Sequence, residues 1–596
     1  MCGINLIIKP ECDGKEAIER MMLSTAHRGP DFSDFCKITD QVWIAGNRLK
    51  ILDLSEASNQ PMWSDDRMAV LVWNGALYNY QDLRNQLLDL GYTFKTNSDS
   101  EVFLLWLKHY GEEKITELQG MFAFTFINLA KKEIIVARDP SGEKPLYFYQ
   151  NDQSWLFSSE ARGINSALIS QSKINQDQFL PYFYSRHCFP DASFFKGVHQ
   201  VLPGTGYVID FEGNLLKNLS WTHQKLANTS PNQAEFESRL KDAVLKNFHT
   251  ERPVGVILSG GADSSLLYQL WLEETGQPMP TFTVAFDKKL QGKYADPTFA
   301  RKLTNRFEGY HHEILVTPEK IMENWQEYIN TLDQPIGDSA SILTWLLAKE
   351  AKEEVQVLIS GAGADELFAG YNRHLAFLKY LQRPKLYKNL KGITAGFPLP
   401  ASLKKFLSGI DQDPRRTFIN FSSLQNIPEE EYSKFLAWYP EEESNFQNAL
   451  HFDRTYYLIN DVLKIHDNAC MAHGIEGRAP YLDFELIQWT KSFSEASSIA
   501  FAGKKLIKTA LENRGLKKIA NRKKIGFGLP LKEWFSENPK FRNWVYSEIK
   551  NMHGTWGRYF PQAMQPLTKE PQKASKDQFL LIWNMFILAS WLKNKQ

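Results

Sequence analysis

The apolar run Val254-Gly255-Val256-Ile257-Leu258 passes without interruption into Ser259-Gly260-Gly261-Ala262-Asp263-Ser264-Ser265, and residues 264–275 then read as a helix. A short buried strand that turns on two glycines into a helix leaves backbone N–H groups at the positive helix end, where polyphosphate oxygens can sit. The glycines let the backbone approach an anion closely. The hydroxyls of Ser259, Ser264 and Ser265 add neutral donors, and Asp263 can hold a magnesium ion that bridges phosphates. No Gly-Lys-Ser/Thr follows, which excludes a Walker loop.

The surrounding periodicity gives this junction a sheet to belong to. Residues 233–248 have helical spacing, with Phe236, Leu240, Val244 and Phe248 on one face. Strands are expected at 281–286, 313–316 and 355–359, and helices at 297–307, 318–331 and 342–352. Such alternation indicates a parallel sheet covered on both faces, with its ligand beyond the C-terminal strand ends. The run ending at Ile359 meets Ser360-Gly361-Ala362-Gly363-Ala364-Asp365, a second glycine-rich turn, and Asp365 can join Asp263 around a magnesium ion.

The first half is patterned differently. Residues 2–8, 42–46, 68–74, 121–127, 133–137 and 155–158 are short apolar or alternating runs, which suit two layers of antiparallel sheet flanked by helices. Cys2 would become the first residue on removal of Met1. Its amine, with an ordinary pKa of about 7.7 to 8.0, could then serve as base to its own thiol.

Length and composition set the outer limits. A chain of 596 residues exceeds one core and implies several domains. With 69 basic and 69 acidic side chains no electrostatic footprint for nucleic acid or anionic lipid is present, so small-molecule partners are expected. The five cysteines are too few and too scattered for a disulfide framework or zinc cluster, which suits a cytoplasmic protein. The most apolar run, Phe579 to Leu592, falls short of the roughly 20 residues that span a bilayer and reads as a buried terminal helix.

Ser259 to Ser265 resembles the pyrophosphate loop of ATP pyrophosphatases, and the chain as a whole resembles the glutamine-hydrolysing asparagine synthetase B family. His27-Arg28-Gly29-Pro30-Asp31, Asn47-Arg48-Leu49, Asn74-Gly75 and Asn97-Ser98-Asp99-Ser100-Glu101 match its motifs in family order. So do Glu476-Gly477-Arg478-Ala479-Pro480-Tyr481-Leu482-Asp483 and the lysine loop Lys523 to Gly528. The resemblance implies a class II glutamine amidotransferase domain over 1–225, of N-terminal-nucleophile type, followed by an ATP-pyrophosphatase synthetase domain over 226–596, with a linker across Leu226 to Gln233.

It also implies roles. Cys2 would be the nucleophile, Asn74 and Gly75 the oxyanion hole, and Arg48 and Asp99 the clamps for glutamine. Leu258, Ser259, Gly260, Gly261, Asp263, Ser264, Ser265, Val284, Ser360 and Gly361 would hold ATP, with Asp263 and Asp365 on Mg2+ and Lys524 on the departing pyrophosphate. Asp338, Ser339 and Arg478 would face the carboxylate acceptor. A homodimer and an internal ammonia passage are also implied.

Two positions depart from the family. Ala76 stands where a glutamate usually helps hold the glutamine ammonium, leaving Asp99 alone, and Ala362 stands where an acid is frequent. The acceptor is therefore aspartate or another carboxylate such as a sugar acid. ATP-dependent cyclases that share the synthetase half, and a non-catalytic binder on the same scaffold, are the remaining readings; Cys2 with Arg48, Asn74 and Asp99 weighs against the first, and the complete nucleotide loop against the second.

Overall fold

The structure is a computed structural model that describes residues 2–168, 170, 172–222, 231–294, 297–305, 307, 309–393, 400–575 and 578–595. Two six-stranded sheets build the first half. One places Val198–Gln200, Tyr147–Asn151, Ser154–Ser158, Cys2–Ile8, Val42–Arg48 and Phe32–Lys37 side by side. The other runs Leu215–Ser220, Thr205–Asp210, Glu133–Arg138, Gly120–Asn128, Ala69–Leu77 and Met62–Trp63. Their pairings are antiparallel.

Alternation along each strand sends one set of side chains inward and the other outward. Ile4, Leu6, Ile8 and Ile44 meet Val70, Val72, Ile127 and Val136 between the sheets. On the outer faces, Ile7 and Ala45 pack on Ile18 and Met21 of the Gly14–Ser24 helix, and Trp73, Phe122 and Phe124 pack on Phe103 of the Asp99–Tyr110 helix. The expected helix-flanked sandwich is thus the observed one. The strands that periodicity missed include Phe32–Lys37, with no buried residue, and Leu215–Ser220, mostly exposed, so no core-facing pattern marks them.

The second half is organised by a five-stranded parallel sheet in the order His311–Leu315, Thr281–Ala285, Val254–Ile257, Val357–Ile359, Glu476–Arg478. The fifth strand was not expected, because Glu-Gly-Arg has no strand signature of its own. Leu266, Leu267 and Leu270 of the Ala262–Thr275 helix cover one face against Val256 and Val357. Leu343, Leu346 and Leu347 of the Ala340–Ala351 helix cover the other against Phe282 and Leu358. Most of the expected linker, residues 226–230, lies outside the described residues, and the Gln233–Phe248 helix follows it.

Two further elements position side chains used below. Asp453–Val462 is a ten-residue π-helical stretch carrying Asp453, Tyr457 and Asp461. The Phe579–Lys593 helix is buried through most of its length, and no helix among the described residues is long and apolar enough to cross a membrane.

Candidate functional site: a thiol cavity and a nucleotide loop joined by one strand

Cys2 begins the strand that pairs with Val42–Arg48, which sets it directly opposite Arg48. It lines a cavity of about 290 Å3 with Arg48, Gln60, Asn74's neighbours Trp73 and Gly75, Ala76, Asp99, Glu476 and Arg478. Its backbone nitrogen donates to Asn74 Oδ1 at 2.9 Å, and Gln60 Nε2 lies 3.6 Å from its sulfur. Asn74 Nδ2 is buried and has no hydrogen-bond partner among the described residues. A buried amide donor normally finds a partner, so an unspent one beside a thiol is what an oxyanion hole requires. Burial pushes the Cys2 thiol up, so a nucleophilic role for it would need a base at hand. Gly75 follows with no room for a side chain: a Cβ there would lie 1.9 Å from the Met121 carbonyl.

Arg48 is buried on the cavity wall, but its guanidinium is engaged. Nη1 donates to the Ser55 carbonyl at 2.7 Å and to Asn59 Oδ1 at 2.9 Å, while Nη2 donates to the carbonyls of Asp53 and Leu52. A ligand carboxylate would have to replace part of this set. Asp99 sits in the first turn of its helix behind the Ser98 cap and accepts from Leu77 N at 3.2 Å.

Asp99 is not alone, contrary to the reading of Ala76. Glu476 reaches the same cavity from the synthetase half. Arg478 is there too, rather than with Asp338 and Ser339: its Nε donates to Glu476 Oε1 at 2.6 Å, and Nη1 to the carbonyls of Asn247 and His249 at 2.7 and 3.0 Å. The reason is the unexpected fifth strand, whose alternation sends residues 476 and 478 to one side. The same strand touches the nucleotide loops, since Ser360 N donates to the Arg478 carbonyl at 3.0 Å. Arg28 ties the halves again. Fully buried, it holds both oxygens of Asp467 at 2.9 and 3.1 Å, Glu160 at 3.0 Å and the Cys2 carbonyl at 3.3 Å.

Burial, with Glu476 nearby, pushes the Asp99 carboxyl up to about 6. An ammonium ligand needs the ionised form, which is present above that pH and lost below it. On the glutamine-clamp role that the resemblance implies for Asp99, the apparent glutamine KM should rise by about tenfold per pH unit below pH 6, and Asp99→Asn should flatten that limb. Initial-rate measurements between pH 5 and 8 check it.

The two glycine-rich loops occupy the C-terminal ends of adjacent strands, Val256 being paired with Ile359. Gly260 adopts φ 67°, and a Cβ on it would meet Phe299 Cβ at 3.0 Å, so the turn requires glycine. Ser259 Oγ lies 3.3 Å from Ser264 Oγ, and Ser265 is buried at the helix start. Leu258 and Val284 are buried beside the loop, and Thr283 Oγ1 donates to the Leu258 carbonyl. Gly361 packs on Asp263, where a Cβ would come within 3.0 Å of the Asp263 Cβ. Ala362 offers no carboxylate; beyond it the turn carries Asp365 and then Glu366, which is buried and accepts from Tyr371 OH at 2.6 Å.

Lys524 reaches Asp365. Two cations were missed. Arg522 Nη1 donates to the Gly260 carbonyl at 2.8 Å, and Lys504 Nζ lies between Asp263 Oδ2 and Asp365 Oδ1 at 2.6 and 2.7 Å. Neither belongs to a motif with a spacing signal. Only the tertiary fold brings them to the loop.

Asp338 and Ser339 do stand together. Asp338 Oδ2 accepts from Arg186 Nη1 at 2.6 Å, and Ser339 Oγ accepts from Leu529 N at 3.1 Å, just beyond the lysine loop. Arg186 comes from the first half, past the Phe179–Ser185 helix, in left-handed backbone at φ 74°.

Known proteins with this layout give it a family. Residues 1–220 match the glutamine amidotransferase domain model and 235–593 the asparagine synthase model. The chain is 30% identical to "Asparagine synthetase [glutamine-hydrolyzing] 1" of Bacillus subtilis (strain 168), with 97% of this chain and 94% of that protein covered. It is 26% identical to "Putative asparagine synthetase [glutamine-hydrolyzing]" of Mycobacterium tuberculosis (strain ATCC 25618 / H37Rv), with 99% and 97% covered. A solved glutamine phosphoribosylpyrophosphate amidotransferase from B. subtilis aligns at 17% identity and a TM-score of 0.28, with 53% of this chain and 81% of that one covered. With an amidotransferase half and a synthase half matched across nearly its whole length, the chain belongs to the glutamine-hydrolysing asparagine synthetase family, whose members are carbon–nitrogen ligases.

Proposed function

We propose that the protein converts L-aspartate to L-asparagine, using ATP to form an aspartyl adenylate and glutamine as the nitrogen source. The observation that carries the acceptor is a buried charge cluster at Arg186. Its Nη1 is on Asp338, while its Nε stands 3.9 Å from Asp461 Oδ2. Both Asp461 oxygens and Arg186 Nε are buried without a full hydrogen-bond set among the described residues, Tyr457 being the hydroxyl that faces Asp461. Two carboxylates around one guanidinium leave negative charge and unspent acceptor sites, which complement an ammonium group; the guanidinium complements a carboxylate. Burial, with Asp338 beside it, raises the Asp461 carboxyl to about 7, and an incoming ammonium would favour its ionised form.

The cluster is continuous with the nucleotide end. Tyr457 and Tyr371 meet edge to face at 5.7 Å, and Lys524 Nζ lies 4.3 Å over the Tyr371 ring. An α-amino acid with a second carboxylate fits this pattern. A sugar acid lacks the ammonium that Asp461 would receive.

At the other end, Cys2 attacks the glutamine amide, Asn74 Nδ2 and the Gly75 N–H take the oxyanion, and ammonia leaves from the tetrahedral intermediate to give a glutamyl thioester, which water hydrolyses to glutamate. The Cys2 α-amine, held by Asn74 Oδ1, shuttles the thiol proton to the departing nitrogen. The aspartate β-carboxylate attacks the α-phosphorus of ATP, Lys524 and Arg522 neutralise charge at the loop, and ammonia displaces AMP. Asp263 and Asp365 fit a magnesium ion: a cation, the Lys504 ammonium, already sits between them. When bound there, the metal would supply charge neutralisation for the phosphates. An enclosed route for ammonia is supported by the one strand that walls the Cys2 cavity and also contacts Ser360. We place the domain division at 1–225 and 226–596, and the protein in the cytoplasm as a homodimer.

Asp461→Asn tests the acceptor. A charge-assisted hydrogen bond contributes about 1.5–3 kcal/mol, so the aspartate KM should rise by about 10- to 150-fold while glutamine hydrolysis is unchanged. An unaltered aspartate KM would count against aspartate at this cluster.

A further inference from the structure

Lys504 occupies a place that needs explanation. It sits in left-handed backbone at φ 61°, ahead of the Lys505–Asn513 helix, a conformation a lysine rarely adopts. Two backbone hydrogen bonds hold it there, Gly503 N to the Ala369 carbonyl at 3.1 Å and Lys504 N to the Phe368 carbonyl at 3.0 Å. Its stem runs over Gly370, where a Cβ would fall 2.0 Å from Lys504 Cε. Glycine at 370 is therefore what admits the lysine. The side chain is only 7% exposed, and its ammonium is shared between Asp263 and Asp365 at 2.6 and 2.7 Å.

We propose that Lys504 is a resident cation that holds the divalent-metal position between Asp263 and Asp365, so that a metal gains this pair only when the ammonium withdraws. Magnesium demands near-octahedral oxygen ligands at about 2.0–2.1 Å, and the ammonium protons are aimed at the same lone pairs. The two cations cannot share them at these distances.

Charge arithmetic says when the exchange happens. Asp263 and Asp365 carry two negative charges, and Lys504 and Lys524 supply two positive ones, Lys524 also being on Asp365. The cluster is balanced. A bare divalent ion entering it would leave a buried excess of positive charge, whereas one arriving with polyphosphate brings oxygens that can take the displaced ammonium. Asp263 Oδ1 is buried without a hydrogen-bond partner among the described residues, so the ammonium meets this carboxylate only in part. Metal and nucleotide uptake are thereby coupled through one side chain, whatever the acceptor.

The test is Mn2+ binding to the full chain without nucleotide, read from the electron paramagnetic resonance signal of free Mn2+. Lys504→Met removes the ammonium and keeps the stem. It should bind Mn2+ at least tenfold more tightly than the wild type, and Lys504→Met combined with Asp365→Asn should lose that gain. Lys504→Gln provides the same comparison if the methionine variant does not fold, with the thermal melt and glutamine hydrolysis at Cys2 reporting the folded state. Mn2+ affinity unchanged in a folded Lys504→Met or Lys504→Gln variant overturns the proposal, as does a gain that survives Asp365→Asn.

Discussion

Replacing Cys2 by alanine should lower glutamine-supported turnover by about 10³-fold or more, because no other thiol lines the cavity among the described residues and the oxyanion donors alone do not form a thioester. Turnover supported by ammonium salts should stay within about twofold of the wild type, since the nucleotide loops and Arg186 do not use the thiol. The separation follows from the architecture: Cys2 opens a strand of the antiparallel sandwich, while Asp263 and Asp365 stand at the ends of a separate parallel sheet. Parallel assays with glutamine and with ammonium chloride measure it. Loss of both activities in a folded variant would place Cys2 in a structural role.

Lys524→Met should produce the second large effect, on the other centre. Its ammonium is the cation of the lysine loop that reaches Asp365, between the Tyr371 ring and the carbonyl of Gly370. Removing a preorganised cation from developing phosphate charge costs about 10²–10³ in rate. ATP–pyrophosphate exchange should fall by about that factor, with glutamine hydrolysis intact.

How much of this could be read from the chain alone depended on distance along it. The strand–Gly-Gly–helix junction, the Asn74-Gly75 pair and the acidic residues of the two loops are local patterns, and local patterns survive folding. Glu476 and Arg478 were readable as a motif but not in place. Their three-residue strand is set by pairing with Val357–Ile359, and that register turns both side chains toward Cys2. A carboxylate absent at Ala76 is thus present in the cavity from more than 350 residues away along the chain.

Arg186, Asp461 and Lys504 carried no signal at all. Arg186 follows a short helix, Asp461 lies in a π-helical stretch whose periodicity matches neither helix nor strand template, and Lys504 follows a glycine that looks like an ordinary turn. All three matter through partners more than a hundred residues away, Asp338 for Arg186, Arg186 for Asp461, and Asp263 and Asp365 for Lys504. Charge burial is what singles them out. Each is costly unless paired, and the unspent donors and acceptors around Arg186 and Asp461 mark where a substrate completes the set.

The most direct measurement follows nitrogen and nucleotide together: amide-15N glutamine, ATP and magnesium are supplied with and without L-aspartate, and products are counted by NMR and chromatography. The account predicts 15N-asparagine, glutamate, AMP and pyrophosphate in equal amounts, with AMP absent when aspartate is withheld. ADP and phosphate in place of AMP and pyrophosphate, or AMP formation indifferent to aspartate, would contradict it.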